Sequence, residues 1–140
     1  MASSTTDRRL GLTGGTAIKA PCKAATTGNI TLSGAQTIDG VSCTTGDRVL
    51  VWQQTTAANN GIYDADTGTW TRSLDCDGDN DVRSGMLLRV NSGNSYASAW
   101  FSLHTSDPIT IGTTSMTFAR ETINNVVLSS VTATLGQTVF

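Results

Sequence analysis

Gln36-Thr37-Ile38-Asp39-Gly40-Val41-Ser42-Cys43, followed by Gly46-Asp47-Arg48-Val49-Leu50-Val51-Trp52, is the stretch whose reading decides the fold class. Two short β-prone runs flank Asp39-Gly40, a dipeptide that readily takes the positive φ angles of a type I′ hairpin turn. Gly46-Asp47 then turns the chain into Val49-Leu50-Val51-Trp52, four consecutive apolar side chains. A half-exposed strand alternates, so an unbroken apolar run predicts a strand covered on both faces, either central or in an interface.

Outward from this segment the same texture continues. On the N-terminal side, residues 26–32 read as a strand leading to a turn at Ser33-Gly34. On the C-terminal side, Gly61-Ile62-Tyr63 and Trp70-Thr71-Arg72 read as a hairpin, and residues 86–91 place Met86, Leu88 and Val90 on one face by period two. After the turn Ser92-Gly93-Asn94, residues 96–104 place Ala97, Ala99, Phe101 and Leu103 on an apolar face and Ser98, Trp100, Ser102 and His104 on the other. Residues 109–111 read as a further short strand, and residues 116–120 as one with Met116 and Phe118 inward. Strands this short, punctuated by turns every roughly 8–12 residues, predict an all-β fold, a small antiparallel β-sandwich or partly closed barrel. The expected organisation is an extended N-terminal docking arm over residues 1–21, the β module over residues 22–121, and a β-prone linker or the start of a following module over residues 122–140.

Composition agrees with this. Among 140 residues there are 24 Thr, 14 Ser and 14 Gly but one glutamate, Glu121, and two lysines, Lys19 and Lys23. Surface helices laced with i,i+4 ion pairs have no material here. Nine basic against eleven acidic side chains give a net charge of −2, which offers little for tracking phosphates, so no nucleic-acid partner is expected. No apolar run approaches the roughly 18 residues of a membrane span, so no membrane insertion is expected, and MASSTTDRRLGL lacks the apolar core of a signal peptide. Synthesis in a cytoplasm is the expectation. Cys22, Cys43 and Cys76 form no CxxC pair, and their odd number leaves at least one thiol free.

The chain offers few groups for catalysis. His104 is the only histidine, and a Ser-His-Asp arrangement would need Asp107 beside it with no nucleophile-elbow motif to supply the serine. Asp75-Cys76-Asp77-Gly78-Asp79-Asn80-Asp81 resembles the first half of a calcium loop, but Asn80 and Met86 stand where an EF-hand needs Gly and a bidentate acid. Asp64 and Asp66 read as turn-capping carboxylates rather than a glycosidase pair. The sequence therefore predicts a protein that is not an enzyme, with no cofactor and no metal. What stands out is interaction surface. Arg8, Arg9, Leu10, Leu12 and Ile18 make the arm a docking segment. Trp52, Trp100, Val127, Val131 and Leu135 are expected at an oligomer interface, Trp100 because a large aromatic on a polar strand face more often anchors a contact.

The ordered series Ala25-Thr26-Thr27-Gly28-Asn29-Ile30-Thr31-Leu32-Ser33-Gly34, Gln36-Thr37-Ile38-Asp39-Gly40-Val41, Gly46-Asp47-Arg48-Val49-Leu50-Val51, Asn60-Gly61-Ile62-Tyr63, Trp70-Thr71-Arg72 and Pro108-Ile109-Thr110-Ile111-Gly112-Thr113-Thr114 with Phe118 resembles a β-rich module common in tail fibres, tailspikes and related virion proteins of tailed bacteriophages. The resemblance covers residues 22–120. Cys22, Cys43, Trp52 and Cys76 depart from it, standing where small apolar or polar residues are expected. It implies a structural and adhesive element without catalytic activity. The expected protein is the particle-proximal anchoring part of a tail fibre or tailspike, a homo-oligomer, most simply a trimer, located in the virion and made in the host bacterial cytoplasm. The arm would dock on another virion protein of the tail, baseplate or neck, and Asp47-Arg48 would act as a polar pair at a strand entrance. Gly136-Gln137-Thr138-Val139-Phe140 resembles the opening of a further β module, as if more chain followed. Two other readings are a capsid decoration or cement protein, and a carbohydrate-binding module using Trp70, Trp100 or Tyr96 as a sugar platform with the acidic loop as a calcium site.

Overall fold

The computed structural model describes residues 17–122, which form nine short strands and two single 3₁₀ turns. The strands are β1 (Ala24–Ala25), β2 (Gln36–Ile38), β3 (Val41–Cys43), β4 (Arg48–Val51), β5 (Gly61–Asp64), β6 (Thr71–Arg72), β7 (Leu87–Val90), β8 (Ala99–Leu103) and β9 (Phe118–Glu121). They make three sheets: a four-stranded one in the order β1-β4-β5-β6, the hairpin β2-β3, and a three-stranded one in the order β7-β8-β9. The fold is all-β, and none of the sheets closes into a barrel.

The apolar run of β4 explains the layering. Leu50 and Ile62 face the three-stranded sheet, in a core with Leu88, Val90, Phe101, Leu103, Met116 and Phe118. Val49, Val51 and Tyr63 face the opposite way, in a second core with Ile38, Cys43 and Trp70 from the hairpin side. Val49, Leu50 and Val51 are all fully buried, as a strand between two apolar layers requires. The four-stranded sheet is thus the middle of three layers, with the hairpin behind it, where the sequence suggested a two-layer sandwich.

The β2-β3 turn forms where Asp39-Gly40 predicts it, with φ of 51° and 81°. The expectation of a purely antiparallel sheet does not hold. β1 runs parallel to β4, pairing Ala24 with Val49 and Ala25 with Leu50, and Ile18 and Cys22 make parallel bridges to Leu87 and Val90 of β7. Two predicted strands are instead loops, with side chains taking backbone groups at their centres. The Gln54 amide accepts from the Ile30 N–H at 2.8 Å and donates to the Ile30 carbonyl at 2.9 Å, standing in for a neighbouring strand. In residues 109–111, the Ile111 N–H donates to Asp79 Oδ1 and the Thr110 N–H to Thr114 Oγ1. The strand expected from residue 96 begins at Ala99, since Tyr96 and Ser98 lie in a turn and Ser98 takes a φ of 63°.

Candidate functional site

The entering segment is the first candidate. Lys19 N–H donates to the Leu87 carbonyl and Cys22 N–H to the Arg89 carbonyl, while Asn91 N–H donates back to Cys22. Within a few residues the same segment changes partner: Lys23 N–H donates to the Arg48 carbonyl and Thr26 N–H to the Leu50 carbonyl. Residues 18–26 therefore join the edge of the three-stranded sheet to the edge of the four-stranded one. Paired backbone begins at Ile18, ahead of residue 22, and the Ile18 side chain is 57% exposed.

Side chains reinforce this seam. Lys19 is buried, and its ammonium donates to the main-chain carbonyls of Asp75 and Asp81 at 2.6 and 2.5 Å. Desolvation pulls its pKa below the usual lysine value against the pull of nearby Asp75 and Asp81. Arg48 donates both terminal nitrogens to the Asp75 carboxylate at 2.8 Å and its Nε to the Ala20 carbonyl. Asp47 and Arg48 do hold the β4 entrance, but through separate partners. Asp47 takes Lys23 Nζ at 2.8 Å and the Thr44 N–H, and the Lys23 hydrogen bond holds its carboxyl below the ordinary range.

The acidic stretch consequently differs from a calcium loop. A lysine ammonium sits on two of its carbonyls, Asp81 accepts from the Gly78 N–H, and among the described residues no three acids, histidines or cysteines converge as metal ligands. The other candidate constellations are separated as well. His104 Nε2 lies 3.7 Å from Glu121, while Asp107 accepts from the Ser84 N–H. Asp64 accepts from the Ser73 hydroxyl and Asp66 from the Thr45 hydroxyl. An open cleft of about 380 Å³ is lined by Asp79, Arg83, Asp107 and Ile109 among others. Both of its carboxylates are committed to backbone N–H groups.

The aromatic residues divide into three roles. Trp70 is buried, its indole N–H donating to Gly34 and Asp66 carbonyls, so it cannot serve as a sugar platform. Trp52 packs edge-on against Phe101 and Tyr96, with ring centroids 5.0 and 5.7 Å away, and donates to the Thr26 carbonyl. It is half-buried at the wall of the core, and the Arg120 guanidinium lies over the Tyr96 ring. Trp100 stands apart. It is half-buried at the centre of the outer face of β7-β8-β9, in register with Arg89 on one side and Glu121 on the other, and it joins neither core. Arg8, Arg9, Leu10, Leu12, Val127, Val131 and Leu135 lie outside the described residues.

All three cysteines are buried free thiols, and burial pushes Cys22 up to about 12. Sequence reading missed the Lys19 seam. Its only trace there was one lysine within an otherwise uncharged stretch, because the acidic loop that receives it lies 56 residues on. Comparison of the chain with protein-family models, with curated proteins and with solved structures finds no match.

Proposed function

We propose that this protein is a non-catalytic structural module of a tailed-phage particle, the particle-proximal part of a tail fibre or tailspike that anchors the fibre as a homo-oligomer. The observation that supports this reading most is the way the N-terminal segment enters the fold. Tension on an anchoring arm would reach residues 18–26 as shear, and those residues are hydrogen-bonded along their length to two sheets at once. Shear divides the force over several backbone bonds, and the Lys19 and Arg48 contacts add side-chain ties at the same seam. The chemistry-bearing residues support the same reading, since the carboxylates of Asp64, Asp79 and Asp107 each accept from a hydroxyl or a backbone N–H, the latter two even where they line the open cleft.

The test is incorporation into particles. A chain lacking residues 1–16 is expected to fold and to be left out of assembled particles, and unchanged incorporation overturns the anchoring role. Counting copies on intact particles by cryo-electron microscopy separates the location: few copies at the tail are expected, and hundreds over the shell would instead make it a decoration protein.

A further inference from the structure

We infer that the outer face of β7-β8-β9 is a twofold contact between two copies of this chain, centred on Trp100. The inner face of this sheet is complete, since Leu88, Val90, Phe101, Leu103 and Phe118 are all buried in the core. The outer face carries Leu87, Arg89, Trp100, Ser102, Ala119 and Glu121, by the register that pairs Leu87 with Ser102, Arg89 and Glu121 with Trp100, and Ala119 with Ser102. Apart from Ser102, which is buried, these residues are half-buried. The middle of the face is apolar and small, and its two charges sit on opposite strands.

That placement selects the occupant. Arg89 on β7 and Glu121 on β9 flank Trp100 from either side, so the face carries one positive and one negative edge. Turning a second copy by half a revolution about an axis parallel to β8 lays its β7 over the first copy's β9. Arg89 of each copy then meets Glu121 of the other, and Trp100 meets Trp100. A half-turn about the perpendicular in-plane axis would instead oppose Arg89 to Arg89, so charge chooses the first. Arg89 has room for a charged partner. Among the described residues its guanidinium makes no ion pair, and its Nη2 donates to Ser98 Oγ at 3.1 Å. Among the described residues, the charged partner of Glu121 is His104, at 3.7 Å.

Three strands make a small face beside the roughly 800 Å² per partner of a standard interface, so the contact is expected to be weak alone and effective where copies share one particle. This deepens the homo-oligomer part of the proposed function and replaces the threefold association implied by the family resemblance with a twofold one. Particle incorporation is measured separately, so either result can fail without the other.

Sedimentation velocity of the full chain from about 5 to about 500 μM should show a species of twice the 14.6 kDa chain mass growing with concentration. Arg89→Glu and Glu121→Arg should each weaken it by about tenfold or more, and an equimolar mixture of the two variants should restore it, because each then meets its opposite charge. The double variant R89E/E121R should dimerise by itself, which keeps the test decisive if one single variant folds poorly. A chain monomeric throughout this range, a trimer, or an oligomer indifferent to both charge reversals overturns the inference.

Discussion

The Lys19 ammonium donates to the Asp75 carbonyl at 2.6 Å, while Arg48 grips the same residue's carboxylate with both terminal nitrogens. One aspartate thus ties the entering segment, the central strand β4 and the acidic loop together. Lysine here does part of what a bound cation does elsewhere: it brings one positive charge to the acidic loop and organises two of its carbonyls.

Removing that ammonium should loosen the seam. Lys19→Met is expected to lower stability by about 1–3 kcal/mol, the usual cost of leaving buried carbonyls unpaired. Chemical denaturation checks this. Deleting residues 1–16 should leave the unfolding midpoint close to that of the full chain, whereas deleting residues 1–21 should lower it clearly, since only the second cut removes Lys19. Equal midpoints for the two deletions would show that the seam contributes nothing.

With the ammonium on two of its carbonyls, the acidic loop is not expected to take up calcium. Thermal melting in millimolar Ca²⁺ and in excess chelator should therefore coincide. A rise in melting temperature that saturates with Ca²⁺ would refute this.

The Asp39 turn locks the hairpin to the loop before β8. Its carboxylate accepts from the Ser95 and Tyr96 N–H groups, and its carbonyl accepts from the Asn94 N–H. Gly93, at a φ of 141°, lies so close that a methyl group there would overlap the Asp39 carboxylate. Gly93→Ala should cost about 1–3 kcal/mol through strain and displacement of that carboxylate. Asp39→Ala should cost a similar amount, and the double variant less than the sum, because both changes break one contact. Full additivity in thermal unfolding would argue against the lock.

The thiols set an alkaline limit on stability. Burial raises Cys22 from the ordinary 9.0 to about 12, and raises Cys43 and Cys76 as well. Above pH 9 the unfolded chain releases these protons while the folded chain keeps them, so the folded state binds more protons and stability falls as pH rises from 9 towards 12. Replacing Cys22 by Ala should flatten that decline. The thiols should also react with a disulfide reagent at pH 8 only after denaturant is added, and rapid labelling of the native protein would contradict their burial.

Several elements were legible from local pattern because local pattern dictates them. Asp39-Gly40 admits a tight turn by its own φ preferences, and Met86, Leu88 and Val90 face inward by period two alone. The apolar run at Val49 similarly announced a strand with two covered faces. Residues 26–32 and 109–111 were misread for a shared reason. Their β-prone composition is real, yet the backbone groups at their centres, those of Ile30, Thr110 and Ile111, are taken by Gln54, Thr114 and Asp79 side chains, and a side-chain partner leaves no periodic mark.

By itself the sequence determined the all-β class, the positions of most turns, and the absence of a histidine-based triad with a nucleophile elbow, since each depends on residue type and short spacing. Only the tertiary structure decided that β4 is the middle of three layers, that residues 18–26 enter as parallel pairing to two sheets, and that Lys19 meets Asp75 and Asp81. It also set Trp70 into a core and Trp52 against the edge of one, while leaving Trp100 between Arg89 and Glu121 on an outer face. These outcomes depend on which distant segments come together, and parallel pairing and buried ion contacts are fixed by that assembly rather than by any residue's neighbours in the chain.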